Sequence, residues 1–179
     1  QSPQYNSLII NILKNCPVGI HPSYYASASK KILVSEIEQL AKITNEKIKA
    51  SRFHFLKFKL PLSYNYLIEC QITHDYSMAY ANQIGFRAST CKGFNFFDLQ
   101  ENKAHPLEIF SPCIMDVTLK NAHQFEPKQA LTAIENLKNE VKKVGGNFIS
   151  IWHNSSLSNT KEWANWQSVW LQMVKSHEQ

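Results

Sequence analysis

The chain has 179 residues, of which 44% are hydrophobic and 18% are charged. This length and balance predict one globular domain, residues 1–179, with a sizeable core, and they exclude an intrinsically disordered chain. The net charge of +5 does not by itself predict a nucleic-acid partner, because the lysines are spread along helical segments and the only arginines are Arg52 and Arg87. We therefore expect no nucleic-acid binding.

Three further classes of protein are disfavoured. No apolar run approaches the roughly 20 residues that a membrane-spanning helix needs, so we expect no membrane span. The first residues have neither a basic segment nor an apolar segment of the signal-peptide kind, which favours a cytoplasmic location. The four cysteines have no C-x-x-C spacing, so reduced thiols are expected rather than a zinc ribbon or a redox motif.

The first third of the chain alternates between helical and extended patterns. Apolar residues at helical spacing predict a helix over 5–13 and a second helix whose apolar stripe runs over 32–43. Between them, Val18-Gly19-Ile20 predicts a short buried strand that stops at His21-Pro22, with Gly19 allowing close backbone approach. Alternating phenylalanines predict another strand over 51–58.

The remainder continues the alternation. A helix is predicted after Pro61, and the segments 71–73 and 84–89 are predicted to be strands. The segments 94–99 and 107–110 are predicted to pair with each other. A long helix is predicted over 127–144, ended by Gly145-Gly146, and is followed by a buried strand over 147–152 and a tryptophan-rich helix.

Strand–helix alternation of this kind predicts an α/β fold with a mostly parallel sheet covered by helices. Several predicted strands end in polar residues that can carry chemistry: His21, Arg52, Asp75, Arg87 and His153. The carboxyl ends of parallel strands are where α/β proteins build their sites. We therefore expect His21, Asp75 and His153 to converge at such ends.

Five motifs follow one another along the chain: a strand-end histidine, a Leu-x-x-Glu-Ile helix, a strand opening with arginine, an Asp-x-Ser motif and a final strand ending in histidine. In this sequence these are His21, Leu33-Val34-Ser35-Glu36-Ile37, Ser51-Arg52-Phe53-His54, Asp75-Tyr76-Ser77 and Ile149-Ser150-Ile151-Trp152-His153. In this order they resemble the polysaccharide deacetylase (NodB-type) superfamily, and more narrowly a bacterial branch of it.

The resemblance implies an incomplete or irregular (β/α) barrel of the polysaccharide deacetylase type. It also implies a divalent metal, most often zinc, with His21 as a ligand. Two departures from the family pattern bear on this: no acidic residue precedes His21, and Tyr25 stands where the family has a second histidine. A neutral phenol is a poor metal ligand. We therefore expect the chain to be a C-terminal part of such a domain, and to hold a metal poorly alone.

The activity implied is metal-dependent hydrolysis of N-acetyl or O-acetyl groups on a carbohydrate. On the resemblance, His153 protonates the leaving amine, and Asp75 orients His153 or contacts a sugar hydroxyl. The residues left for substrate binding are Arg52, Arg87, Tyr24, Tyr25 and Trp152. Simpler roles stay open: Asp75 as a cap, Arg52 and Arg87 as ion-pair partners, and Trp152 as a core residue.

Besides the deacetylase, two other functions remain open from the sequence. One is a non-catalytic carbohydrate-binding relative that has lost the metal site. A third alternative is an interaction domain with a partner-binding face of Trp163, Trp166 and Trp170, although their i, i+3, i+7 spacing is also that of core packing. The sequence does not predict an oligomeric state.

Overall fold

The computed structural model describes residues 2–158 and 160–175. By the proximity of its Cα atoms the chain divides into two compact units, each built from two stretches of sequence. Unit 1 comprises residues up to Ser77 together with Gly93–Phe110, and unit 2 comprises Met78–Lys92 together with the residues from Ser111 onward. The single domain expected from the sequence stays a prediction. Over the described ranges, no helix combines the length and apolar character that crossing a bilayer requires.

Unit 1 is a sheet flanked by helices. Its helices are α1 (Pro3–Leu13), α2 (Lys30–Thr44) and α3 (Leu62–Glu69). Its strands are β1 (Ala50–Ser51), β2 (His74–Asp75), β3 (Phe94–Asp98) and β4 (Lys103–Ile109), in the spatial order β1-β2-β4-β3. Neighbours are parallel except β3 and β4, which form the antiparallel pair that the sequence predicts. Ile20, which belongs to no strand, forms a single parallel bridge with Ser51 of β1.

Unit 2 is built around a second, smaller sheet. Strands β5 (Ile114–Met115) and β6 (Ser150–Ile151) pair in parallel, and helices α4 (Pro127–Lys143) and α5 (Trp166–Lys175) pack together. A capping box between Glu126 and Gln129 starts α4. Gly145, at φ 59°, ends the turn after α4 by taking the left-handed conformation that glycine adopts without steric cost.

The tryptophans near the end of the chain belong to the core of unit 2. Trp163 and Trp166 are buried with Ile134, Val169 and Met173, and Trp170 packs against the same cluster while partly buried. Core packing therefore accounts for their spacing, and the partner-binding face suggested by the sequence is wrong for Trp163 and Trp166.

The α/β class and the mostly parallel pairing are confirmed, but several strands differ from their predicted bounds. Of the segment 18–20 only Ile20 pairs, and the strand expected over 147–152 is reduced to Ser150–Ile151. The strand expected over 51–58 ends at Ser51, because Phe55 and Leu56 have φ near +55° and form a 3-10 turn. Segment 84–89 is not a strand, with Gly85 at φ 115° and Ser89 at φ 56°. The strand expected over 71–73 lies instead at His74–Asp75.

Neither sheet closes on itself within the ranges that the structure describes, since both have open edges. The coarse fold is therefore mixed α/β with mostly parallel strands. Neither sheet by itself forms a closed barrel.

Gly19 lies where two backbones come close. A Cβ atom built on Gly19 would be 2.9 Å from the carbonyl oxygen of Ala50, next to the Ile20 N–H bond to that same oxygen (2.9 Å). The close approach predicted from the sequence is confirmed, and it brings the segment before His21 against β1.

We expect Gly19→Ala to destabilise the protein by about 1–3 kcal/mol, because the added methyl group would force two backbones apart. Urea unfolding measures the change, with Asn139→Ala on the exposed side of α4 as the control. A Gly19→Ala variant as stable as that control would show that the close approach is not needed.

Candidate functional site

The carboxyl edge of the unit 1 sheet gathers three of the residues singled out in the sequence. The parallel register places Ile20 beside Ser51, Ser51 beside Asp75, and Asp75 beside Ile109. His21 and Arg52 directly follow the first two of these positions. The strand-end position predicted for His21 and Asp75 is therefore confirmed, and their convergence with His153 stays a prediction.

The His21 side chain is held through both ring nitrogens. Its Nδ1 lies 2.5 Å from the Arg52 carbonyl oxygen, which can only accept, so Nδ1 carries the proton. Its Nε2 lies 2.8 Å from Nδ1 of His54, and the two rings meet edge to face with centroids 4.9 Å apart. When His21 is neutral, its Nε2 accepts the proton of His54 Nδ1. The sequence places His54 only at the end of the Ser51-Arg52-Phe53-His54 motif, and the structure makes it the neighbour of His21.

The His21–His54 pair meets part of what a metal site requires. Metal-binding histidines usually donate their second ring N–H to a carbonyl or carboxylate, as His21 does to Arg52. A structural zinc site takes four protein ligands and a catalytic one takes three. Across residues 2–158 and 160–175, however, no group of three or more His, Cys, Asp or Glu is placed to hold a metal ion. The described residues supply two imidazoles there, which is an incomplete set of ligands for zinc.

A cavity of about 610 Å³ opens beside His21, lined by residues of α1, α2 and the loop after His21. Tyr24, Tyr25 and His54 are among its walls. Tyr25 is 71% exposed and meets Tyr24 edge to face at 5.3 Å between centroids. Phe55, 73% exposed, meets Tyr24 at 6.1 Å and His54 at 4.5 Å. These exposed rings are an aromatic surface next to the His21–His54 pair.

Asp75 is completely buried and is engaged by Ser77. Its Oδ1 accepts the Ser77 N–H (2.9 Å) and its Oδ2 accepts the Ser77 hydroxyl (2.8 Å). Burial raises the pKa of Asp75 to about 6, against the hydrogen bonds from Ser77 and Tyr64 and the charge of Arg52, which favour the ionised form. Because Asp75 accepts the N–H of the residue two positions ahead, it caps the turn that follows β2, as the cap alternative from the sequence predicts. Its complete burial leaves it no accessible surface for a sugar contact.

Unit 2 contains a second strand-end site, formed by His153 and Asp116. His153 follows β6, and Asp116 directly follows β5. The Nδ1–H of His153 donates to Oδ1 of Asp116 (2.7 Å), and the His153 backbone N–H donates to Oδ2 (2.7 Å). The Ser156 hydroxyl also donates to Oδ2, and the Val117 N–H donates to Oδ1 (2.7 Å).

The two partners differ in exposure, and this difference sets their possible chemistry. Asp116 is fully buried, whereas 41% of the His153 side chain is exposed. The carboxylate fixes the ring orientation and the Nδ1 tautomer, which leaves Nε2 as the nitrogen for proton exchange. This is the arrangement of a general acid or base.

Asp116 was missed in the sequence, although a signal for it is present. Cys113-Ile114-Met115 is a short apolar run that ends in an aspartate, the same pattern that singled out Asp75. The run is very short and follows Pro112, so it is a weak strand signal. Only the pairing of β5 with β6 brings Asp116 to His153, 37 positions further along the chain.

Arg87 and Trp152, both in unit 2, are the remaining residues that the sequence assigned to substrate binding. Arg87 is exposed in the turn segment that replaced the predicted strand. Trp152 is partly buried and packs against the core cluster of unit 2, as the core alternative for this residue predicts. Their assignment to substrate binding stays a prediction.

Comparison with protein-family models and with curated protein sequences finds no match for this chain. Functional inference therefore rests on the residues themselves and on the resemblance in their order.

We expect Asp116→Asn to destabilise the protein by about 2–4 kcal/mol, since an amide nitrogen would face N–H or O–H donors that now bind a carboxylate. Glu140→Gln is the control: it removes an acid whose ion pair with Lys143 is mostly exposed and is expected to cost under about 1 kcal/mol. Equal urea midpoints for the two variants would contradict the structural importance of the buried carboxylate.

Asp75 is expected to make stability depend on pH. Its pKa of about 6 in the folded protein lies above the ordinary 3.8, so protonated Asp75 stabilises the fold below pH 4 and this stabilisation is lost as the pH rises through 6. The unfolding free energy of the parent, minus that of Asp75→Asn, should fall by on the order of 3 kcal/mol from pH 4 to pH 7. A difference that stays constant or rises would contradict the raised pKa.

Proposed function

We propose that this chain belongs to a carbohydrate deacetylase of the polysaccharide deacetylase type, which hydrolyses N-acetyl or O-acetyl groups on a sugar. The observation that carries the proposal is the Asp116–His153 pair, a buried carboxylate on Nδ1 of a partly exposed strand-end imidazole. The ordered motifs from His21 to His153 support it. In this proposal the parallel strands are part of an incomplete or irregular (β/α) barrel.

In the proposed reaction, Nε2 of His153 takes a proton from water as the water oxygen adds to the acetyl carbonyl carbon, and the C–N bond of the tetrahedral intermediate then breaks. His153 gives that proton from Nε2 to the leaving amine nitrogen, so the products are a free amine and acetic acid, which ionises to acetate. Asp116 keeps Nδ1 protonated and stabilises the charge that the imidazole carries during proton transfer. Zinc, the cofactor implied by the resemblance, would have His21 among its ligands, with His54 adjacent.

The proposed sugar contact is the aromatic surface of unit 1. Tyr24, Tyr25 and Phe55 expose ring area beside a cavity of about 610 Å³. Aromatic rings combine apolar area with little loss of side-chain freedom on binding, so they suit the C–H face of a sugar ring. Lys57, whose Nζ lies 3.5 Å from the Tyr24 ring centroid, holds that ring by a cation–π contact.

The same aromatic surface also favours the alternative, a carbohydrate-binding relative without catalysis, because stacking needs neither a metal nor a general acid. The two functions differ in what they require of His153. A catalyst needs its Nε2 proton, whereas a binding module tolerates its loss.

For the deacetylase we expect His153→Ala, in the full-length protein, to lower turnover of a chito-oligosaccharide by about 10²- to 10⁴-fold. Stability should fall by only about 1 kcal/mol, because Asp116 keeps its other donors. His74→Ala is a matched control, since 41% of its side chain is exposed too and it also faces an acid, Glu108.

Turnover and melting temperature are measured on the same preparations. Unchanged turnover per folded molecule with a lowered melting temperature would make His153 a packing residue and contradict the catalytic assignment. Retained sugar binding with no turnover in the parent protein would favour the binding module.

A further inference from the structure

The segment that carries His54 has an unusual backbone. Phe55 and Leu56 are consecutive residues with φ of 55° and 53°, a left-handed conformation that is costly for side chains of this size. Phe55 is 73% exposed, so its own burial does not stabilise this conformation. Strain of this kind persists only where surrounding contacts enforce it, and it is concentrated at functional sites.

The contact at the start of the segment is a buried hydrogen-bond chain. The Phe53 N–H donates to the Ser77 hydroxyl oxygen (2.8 Å), and that hydroxyl donates to Oδ2 of Asp75 (2.8 Å). The Ser77 N–H closes the chain on Oδ1 of Asp75 (2.9 Å). Phe53, Ser77 and Asp75 each have 0% exposure, so water does not replace any of these bonds.

These hydrogen bonds fix the direction of the backbone just after β1. Phe53 precedes the turn His54–Leu56, and the Leu56 N–H returns to the Phe53 carbonyl (3.0 Å). His54, the first residue of that turn, places its Nδ1 2.8 Å from Nε2 of His21. The position of Phe53 therefore sets the position of the imidazole that faces His21.

We infer that Ser77 and Asp75 are positioning residues, which hold the strained turn 54–56 through the Phe53 amide and thereby present His54 to His21. The inference rests on the proposed function for its chemical consequence, since the pair lies beside the proposed sugar surface. The Asp-x-Ser motif thus positions His54 through the backbone of Phe53. The partly exposed His21–His54 pair thus depends on residues that a ligand does not touch.

The test is amide hydrogen exchange in the parent protein and in Ser77→Ala, followed by NMR. Without the Ser77 hydroxyl, the amides of Phe53 and Leu56 should exchange about 10-fold faster, as expected for loss of one buried hydrogen bond. The nuclear Overhauser contact between the His21 and His54 rings should weaken. The amides of Glu108 and Phe110, which bond to Thr73 and Asp75 carbonyls, serve as internal controls in the same sheet.

Ser63→Ala is the matched control variant. Ser63 is also fully buried, accepts a backbone N–H (Lys59, 2.8 Å) and donates onward to a carbonyl (Ser27, 2.7 Å). Its loss should speed exchange at Lys59 and leave the His21–His54 ring contact in place. Unchanged exchange at Leu56 in folded Ser77→Ala, or an equal acceleration at Glu108, would overturn the inference.

Phe55→Gly gives a second test, because glycine adopts positive φ without strain. In the Phe55→Gly background the turn needs less support, so Ser77→Ala should accelerate Leu56 exchange less than in the parent. If Ser77→Ala alone does not fold, recovery of folding by Phe55→Gly supports the inference and failure to recover overturns it. Neither readout involves sugar turnover, so an inactive protein would contradict the proposed function and leave this result standing.

Discussion

Burying a carboxylate costs several kcal/mol unless hydrogen-bond donors replace the water that it loses. Each unit has a completely buried carboxylate at the end of a parallel strand: Asp75 is the last residue of β2, and Asp116 directly follows β5. Their hydrogen-bond donors connect them to the segments that carry the candidate chemistry. Ser77 links Asp75 to the segment of His54, and Asp116 binds His153 directly. The need to satisfy these acids therefore organises the loops around them.

The two units place a histidine in similar ways but with different acceptors. Nδ1 of His21 donates to the Arg52 carbonyl, and Nδ1 of His153 donates to the Asp116 carboxylate. Both contacts fix the tautomer and orient the ring. A carboxylate stabilises the charge of a protonated imidazole more than a neutral carbonyl does, which fits the proton transfer proposed for His153.

Strain and burial are connected in the loop after β1. Phe55 and Leu56 take positive φ, and the phenyl ring of Phe55 lies in solvent beside Tyr24 and His54. Leu56, in contrast, is buried, so this one turn directs an aromatic ring outward and an aliphatic side chain into the core. A regular strand alternates its side chains but cannot turn the backbone so that His54 meets His21.

Much of the local structure follows from the sequence alone. Helical periodicity, the Pro127 start, the Gly145 stop and the pairing of 94–99 with 107–110 all involve neighbours along the chain, and the observed helices and hairpin agree with them. The strand-end positions of His21 and Asp75 were predictable for the same reason, since Pro22 and the apolar runs are local signals. The partners of these residues were not. Asp116 meets His153 across 37 positions, His21 meets His54 across 33, and Phe53 meets Ser77 across 24. Such pairs depend on strand register and on positive-φ turns at residues other than glycine, which the tertiary packing imposes against local preference.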